Sequence, residues 1–194
     1  MKKIGIFSGS FNPVHIGHLA LANWICEYGD LDEVRFLVTP QNPLKDKEIL
    51  MDYDLRFTMV KEAIADYHRF SVSDFECTLP VPSYTIDTLR ALRRAEPDCL
   101  FHLILGADSW ANFNLWKDAQ ALIDEFRILI YPRNNYEQTE IPQSPHIRKV
   151  DAPLLDVSSS FIRAAIRDGK DIRFFLPEAV RKYIHAFNLH PNFF

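Results

Sequence analysis

Short apolar runs alternate along the chain with longer segments in which apolar residues recur every three or four positions. The short runs predict buried strands at residues 4–7, 34–38, 70–72, 99–105 and 126–131, with a shorter candidate at 147–150. The periodic segments predict helices that end before Gly29 or span residues 52–67, 82–94, 157–169 and 177–187. This alternation predicts an α/β fold, a doubly wound Rossmann-like parallel sheet flanked by helices.

Two connecting segments follow neither pattern. Residues 74–82 contain two prolines and are predicted to be extended, and residues 134–145 have no periodicity and are predicted to form a surface loop. No internal repeat or low-complexity segment divides the chain, so we expect residues 1–194 to form a single domain.

Composition narrows the class of protein. With 47% hydrophobic residues among 194, the chain can bury a sizeable core. Its formal net charge of −4 argues against broad nucleic-acid binding, which needs a basic face. No apolar run approaches the length of a membrane span, and three cysteines without CxxC spacing argue against a disulfide framework. We therefore expect a cytoplasmic protein with no membrane or nucleic-acid partner, and the oligomeric state stays open.

The first predicted strand leads through a glycine turn into a helix that carries two histidines. Gly9 lets the backbone approach a ligand closely, and His15 and His18 are three residues apart, so they share one helix face. The free N–H groups and the dipole of a helix N-terminus attract anions, and phosphate is the obvious one. The alternative is an ordinary strand-to-helix turn with two surface histidines. A zinc pair is disfavoured because no third ligand has suitable spacing.

Polar residues also follow or open other predicted elements. Asp108, behind Gly106 at the end of strand 99–105, suits either a ribose hydroxyl or a helix N-cap. Serines 158–160 and the nearby Arg163 suit either phosphate or an ordinary cap.

Four further residues carry weaker signals. Lys45 lies in a polar loop, where it is either solvated or reaches phosphate. Thr85 is near the start of a predicted helix, and Trp116 belongs to an aromatic cluster that forms either core or a stacking surface. Arg56 is expected to form a structural salt bridge.

Residues 9–18, GSFNPVHIGH, resemble the (G)G(S/T)FDPxHxGH motif of the nucleotidyltransferase superfamily that carries the H/T-x-G-H signature. PSYTIDTL at 82–89 resembles the branch that makes dinucleotides from pyridine mononucleotides. LGADS at 105–109 resembles the family's (I/L)(I/L)GxDS string, and VSSSFIR at 157–163 resembles its second signature, ISSTxIR. The chain as a whole is most similar to the bacterial nicotinate mononucleotide adenylyltransferases. The strings occur in the family's order, and the chain departs from the family pattern at Ser8, Asn12, Leu44 and Lys117.

The resemblance implies transfer of AMP from ATP to nicotinate mononucleotide, giving deamido-NAD and pyrophosphate by in-line attack without a covalent enzyme intermediate. It implies a catalytic role for His15 and His18. It implies ATP binding by Gly9, Ser10, Phe11, Lys45, Ser159, Ser160 and Arg163, and nicotinate mononucleotide binding by Thr85, Gly106, Asp108 and Trp116. Mg²⁺ would be carried by the ATP phosphates rather than by a protein metal site.

Three alternatives stay open at this point. Another enzyme of the superfamily, such as phosphopantetheine adenylyltransferase or a cytidylyltransferase, would share the first motif but lack PSYT, LGADS and the aromatic pair. The acceptor could be nicotinamide mononucleotide instead of, or beside, the nicotinate form. The chain could also be a catalytically silent nucleotide-binding module, although the intact histidines argue against that.

Overall fold

The computed structural model describes residues 1–40, 50–80 and 82–186 of the chain. Six strands form one parallel sheet: β1 (Lys2–Gly9), β2 (Glu33–Val38), β3 (Phe70–Ser73), β4 (Cys99–Gly106), β5 (Arg127–Tyr131) and β6 (Ile147–Lys149). Their order across the sheet is β3-β2-β1-β4-β5-β6. The predicted fold class is confirmed, and the short candidate at 147–150 is the sixth strand.

The strand order reverses between the neighbours β1 and β4. Open α/β sheets bind ligands in the crevice beyond the carboxyl ends of the strands at such a switch point. Gly9 ends β1 and Gly106 ends β4, so these two glycines lie at the same edge of the sheet. The topology therefore places the candidate site there.

Helices cover both faces of the sheet: α1 (Ile16–Tyr28), α2 (Tyr53–Ala63), α3 (Thr85–Ala95), α4 (Ala107–Trp110), α5 (Ala119–Glu125), α6 (Ser159–Arg167) and α7 (Glu178–Ala186). One apolar core contains buried residues of α1, α2, α6 and α7, and the other contains buried residues of α3 and α5. Successive side chains of β1 enter opposite cores, Ile6 in one and Phe7 in the other, as the pleat of a strand requires. Within the described part of the chain, no helix is long and apolar enough to cross a bilayer.

The prediction that residues 74–82 are extended is wrong for Phe75–Thr78, which form a 3-10 helix. The backbone N–H of Phe75 donates to Ser73 Oγ at 3.2 Å, and Thr78 Oγ1 donates to the Phe75 carbonyl at 2.7 Å. These local side-chain bonds satisfy backbone groups that an extended segment would leave unpaired. The periodicity of apolar residues cannot predict such bonds, because they depend on single hydroxyl groups.

The salt bridge predicted for Arg56 is also wrong. Arg56 is buried, and its guanidinium donates to four carbonyl oxygens: Met51 at 2.9 Å, Ser10 at 2.7 Å, Thr39 at 2.9 Å and Pro40 at 3.3 Å. No ion pair joins Arg56 to a carboxylate of the described residues. Instead, its planar fork of donors ties the loop after β1 to the end of β2.

Candidate active site

The two histidines of the first motif lie at the N-terminus of α1, as predicted. His15 is the N-cap residue, and its backbone N–H donates to Nδ1 of His18 at 3.3 Å. The two imidazole rings stack, with their centroids 3.7 Å apart. Because Nδ1 of His18 accepts, the proton of a neutral His18 is assigned to Nε2.

His15 differs from His18 in its environment. It is 2% exposed, and Nδ1 is buried with no hydrogen-bond partner among the described residues. Burial, helped by the positive charge of Arg133, lowers the pKa of His15 to about 4. His15 is therefore neutral at physiological pH, and its ring supports the ring of His18.

The N-terminus of α6 packs against the motif loop. Ser159 Oγ donates to the Pro13 carbonyl at 3.0 Å, and Arg163 Nη1 donates to the Asn12 carbonyl at 2.9 Å. A second Arg163 donor, Nη2, reaches Ser160 Oγ at 3.1 Å. These predicted phosphate ligands therefore also hold the loop in place, while the first-turn N–H groups of α6 lie near those of α1.

Gly17 leaves room for the ring of His15. A Cβ atom at this position would lie 3.1 Å from the His15 ring and 3.5 Å from the side chain of Val157, which precedes α6. Both helix N-termini border a cavity of about 270 Å³, here called the smaller cavity. It is lined by His15, Gly17, His18, Leu21, Asp108, Tyr131–Tyr136 and Pro153–Ser158. Two sets of helix N–H donors beside a histidine suit a polyphosphate.

A second, larger cavity of about 660 Å³ opens at the carboxyl ends of β1 and β4. Three of its lining residues, Thr85, Asp108 and Trp116, were predicted from separate parts of the sequence, and the structure brings them together here. Gly9 and Gly106 also line it. Asp108, Tyr131 and Tyr136 line both cavities, which therefore meet at this point.

Asp108 is held beside an arginine where the cavities meet. Its Oδ1 lies 3.6 Å from Nε of Arg133, whose guanidinium lies over the Tyr131 ring, 5.2 Å from the ring centroid. A Cβ atom at Gly106 would meet Oδ1 of Asp108, so a side chain at this position would displace the Asp108 carboxylate. The N-cap of α4 is Gly106, so the alternative N-cap role of Asp108 is wrong. Its carboxylate is left to accept from a ligand.

Of the aromatic cluster, Trp116 lines the larger cavity. Trp110 stacks on Phe113 with ring centroids 4.7 Å apart, and Phe113 contacts Trp116 at 5.4 Å. Phe113 is buried in the core, whereas Trp116 is half-buried and lines the cavity. Lys117 Nζ donates to Asp87 at 2.8 Å and lies over a tyrosine ring at the rim.

The loop Gly9-Ser10-Phe11 has a structural role that its sequence did not reveal. Phe11 has a left-handed φ of 43°, and its buried ring packs on Phe7 and Phe36. A Cβ atom at Gly9 would lie 3.2 Å from the Phe11 ring, so glycine lets the ring pack closely against the backbone here. The predicted ATP contacts of the loop remain predictions, and Lys45 lies outside the described residues.

Sequence reasoning missed two charged residues of the site. Arg133 follows β5 at the same edge of the sheet where β1 and β4 end, and that position was the signal available. Glu76, on the 3-10 helix after β3, lines the larger cavity and is 5% exposed. Nothing in the sequence distinguishes it from a solvated acid, because its burial depends on α3.

Within the described part of the chain, no group of three or more histidine, cysteine, aspartate and glutamate side chains could hold a metal ion. Asp108 and Asp156 are the acidic residues that line the smaller cavity. Mg²⁺ is commonly bound through one or two carboxylates together with substrate phosphates. The donor set therefore fits an ion that arrives on a polyphosphate.

The sheet order and the paired helix N-termini define a class, the nucleotidyltransferases with a Rossmann-like sheet. Residues 6–165 match the cytidylyltransferase-like family. The chain is 50% identical over 182 residues to a probable nicotinate-nucleotide adenylyltransferase of Bacteroides fragilis, covering 94% of this chain and 90% of the relative. It is 50% identical over 185 residues to the protein of the same name in Bacteroides thetaiotaomicron, covering 95% and 92%. The chain belongs to this nicotinate-nucleotide adenylyltransferase family within the cytidylyltransferase-like proteins.

Solved structures show the same fold. A Plasmodium falciparum nicotinic acid mononucleotide adenylyltransferase complexed with NaAD has a TM-score of 0.80 and 21% identity, with 97% of each chain covered. A putative nicotinate-nucleotide adenylyltransferase from Vibrio parahaemolyticus has a TM-score of 0.73, also at 21% identity, covering 97% of this chain and 95% of that one. At this identity the likeness extends to the fold alone.

Proposed function

We propose that the protein transfers the adenylyl group of ATP to nicotinate mononucleotide, giving deamido-NAD and pyrophosphate. A 5′-phosphate oxygen of the mononucleotide attacks the α-phosphorus of ATP, and the bond from that phosphorus to the pyrophosphate oxygen breaks. No protein nucleophile is required, so positioning and charge stabilisation supply the acceleration. The observation that carries the proposal is the meeting of the two cavities at Asp108, beside the His18-bearing helix N-terminus.

The triphosphate is assigned to the smaller cavity. Helix N–H groups of α1 and α6 point positive dipole ends at it, and Arg133 adds a cationic side chain to its lining. Arg163 holds the motif loop through the Asn12 carbonyl but does not line the cavity. His18 would donate from Nε2 to a phosphoryl oxygen, where negative charge grows in the transition state. Mg²⁺ bound to the phosphates would neutralise part of the charge on the leaving pyrophosphate.

The acceptor is assigned to the larger cavity. Trp116 offers an indole face to the pyridine ring, and Asp108 can accept from a ribose hydroxyl. Thr85 begins α3, whose free N–H groups suit the pyridine carboxylate. The two cavities share one sheet, and we propose that residues 1–194 act as one domain in which both substrates are held.

The test is an assay of pyrophosphate release with purified protein and MgATP. Nicotinate mononucleotide, nicotinamide mononucleotide and phosphopantetheine are supplied separately, and the nucleotide product is identified by mass spectrometry. We expect release with nicotinate mononucleotide and a product mass of deamido-NAD. Release only with phosphopantetheine, or ATP binding without turnover of any acceptor, would contradict the proposal.

A further inference from the structure

Glu76 is a buried carboxyl group in the wall of the larger cavity, and it has no role in the adenylyl transfer proposed for the two cavities. Oε1 accepts a hydrogen bond from Thr88 Oγ1 at 3.2 Å. Oε2 is buried with no hydrogen-bond partner among the described residues. Burial raises the pKa of Glu76 to about 7, with the Thr88 hydrogen bond opposing that rise. Burying a carboxyl group with one oxygen unpaired destabilises the folded protein, so we looked for a function of Glu76 in the cavity.

No charged neighbour neutralises Glu76 among the described residues. The titratable and charged side chains on the elements around it are those of the 3-10 helix and its N-cap, of α3, of β2 and of the start of α2. They are Asp74 and Cys77; Asp87, Arg90, Arg93 and Arg94; Glu33 and Arg35; and Tyr53, which contacts Cys77. None of them forms a hydrogen bond or ion pair with Glu76. Asp87 and Arg90 are engaged elsewhere, in ion pairs with Lys117 and Glu125.

Glu76 lies beside the N-terminal end of α3. Thr88 is in the second turn of α3, so the Glu76 carboxyl group packs against the N-terminal end of that helix. Thr85, at the helix start, and Trp116 line the same cavity. An anion at the α3 N-terminus and an ionised Glu76 would therefore compete for one positive helix end. They would also repel each other in a cavity of only about 660 Å³.

We propose that Glu76 sets the preference between pyridine mononucleotides with a carboxylate and those with a carboxamide, a selectivity that rests on the proposed function. Neutral Glu76 leaves the α3 N-terminus open to the nicotinate carboxylate. Ionised Glu76 repels that carboxylate, while the uncharged carboxamide is not repelled and carries N–H donors. Glu76 thus determines specificity through its charge.

The test compares kcat/KM for nicotinate and nicotinamide mononucleotide between about pH 6 and about pH 8.5. The ratio of the two values cancels titrations that affect both acceptors alike, including those of their 5′-phosphates. In the wild-type protein the acid-to-amide ratio should fall about tenfold or more across this range, the scale of a like-charge interaction in a partly buried site. In Glu76→Gln, which stays neutral, the ratio should be flat.

Two further variants separate charge from structure. Thr88→Val removes the hydrogen bond that favours the ionised form, so the fall in the ratio should move to higher pH. Glu62→Gln, an exposed acid on α2, should follow the wild-type profile. A wild-type ratio that does not change with pH, or the same slope in wild type and Glu76→Gln, would overturn the inference. Wild-type protein that adenylylates neither acceptor would overturn the proposed function instead.

Discussion

The imidazole rings of His15 and His18 stack with centroids 3.7 Å apart, while the backbone N–H of His15 fixes Nδ1 of His18 as an acceptor. The two residues of the motif are therefore not equivalent. His15 is buried and neutral, and it determines where His18 lies and which nitrogen of His18 donates. His18 is the one assigned to the reacting phosphate.

Replacing His18 by alanine tests that assignment. We expect His18→Ala to lower kcat by about 10²-fold or more, the scale of losing one donor that acts in the transition state. Steady-state kinetics of pyrophosphate release would measure it, with His68→Ala as the control because His68 is exposed and lies outside both cavities. Near-wild-type kcat in His18→Ala would remove His18 from catalysis.

The buried state of His15 predicts a dependence of stability on pH. Its pKa is about 4 in the folded protein and about 6.5 in the unfolded chain, so the unfolded chain binds the extra proton between these values. This stability contribution is complete above pH 6.5 and is lost as pH falls toward 4. Between pH 7 and pH 5, wild type should lose about 2 kcal/mol more than His15→Gln. Urea denaturation at the two pH values measures this, and equal losses would contradict it.

Trp116 is predicted to hold the acceptor ring. Trp116→Ala should raise the KM for nicotinate mononucleotide with little change in the KM for ATP, because Trp116 lines the larger cavity and not the smaller one. Trp116→Phe, which keeps an aromatic face, should recover part of the loss. Trp24→Ala, on α1 and outside both cavities, serves as the control. A change confined to the KM for ATP would show that the cavity assignment is wrong.

Arg133 is expected to act on the ATP side. It lines the smaller cavity and contributes to lowering the pKa of His15. Arg133→Met should therefore raise the KM for ATP about tenfold, the scale of losing one charge-assisted hydrogen bond, and shift the His15 pKa upward. Kinetics and NMR titration of the His15 ring provide the two readouts. Unchanged values in both would place Arg133 outside the site.

Arg56 is predicted to stabilise the fold rather than to bind ligand. Arg56→Met leaves four carbonyl oxygens without their donor in the interior, so the free energy of unfolding should fall by about 3 kcal/mol or more. Urea denaturation measures the loss. Arg94→Met, an exposed arginine in the last turn of α3, should change stability little. Equal effects of the two substitutions would contradict the structural role.

The sequence predicted those parts of the site whose residues are close together along the chain or directly follow a strand. The first motif contains a strand, a turn and a helix start within fifteen residues, so the adjacency of His15 and His18 follows from helix spacing alone. The ends of strands could also be predicted, and Asp108 was identified because it follows the end of β4. The convergence of Thr85 and Trp116 on one cavity required the resemblance to a known family.

Contacts between residues that are distant along the chain could not be predicted from the sequence. The two imidazoles stack and His15 is buried in the fold, and the charge that helps to lower the His15 pKa comes from Arg133, which is distant in sequence. The four carbonyls around Arg56 come from three different loops, so a carboxylate partner was the natural but wrong expectation. Glu76 was missed for the same reason, since its burial comes from α3.

The central claim is that one dinucleotide spans both cavities, and a crystal structure of the protein with deamido-NAD tests it most directly. We predict the pyridine ring beside Trp116, the bridging phosphates within hydrogen-bond distance of His18, and the adenosine in the smaller cavity. Phosphates that lie away from both imidazoles, or a pyridine ring outside the larger cavity, would contradict the account.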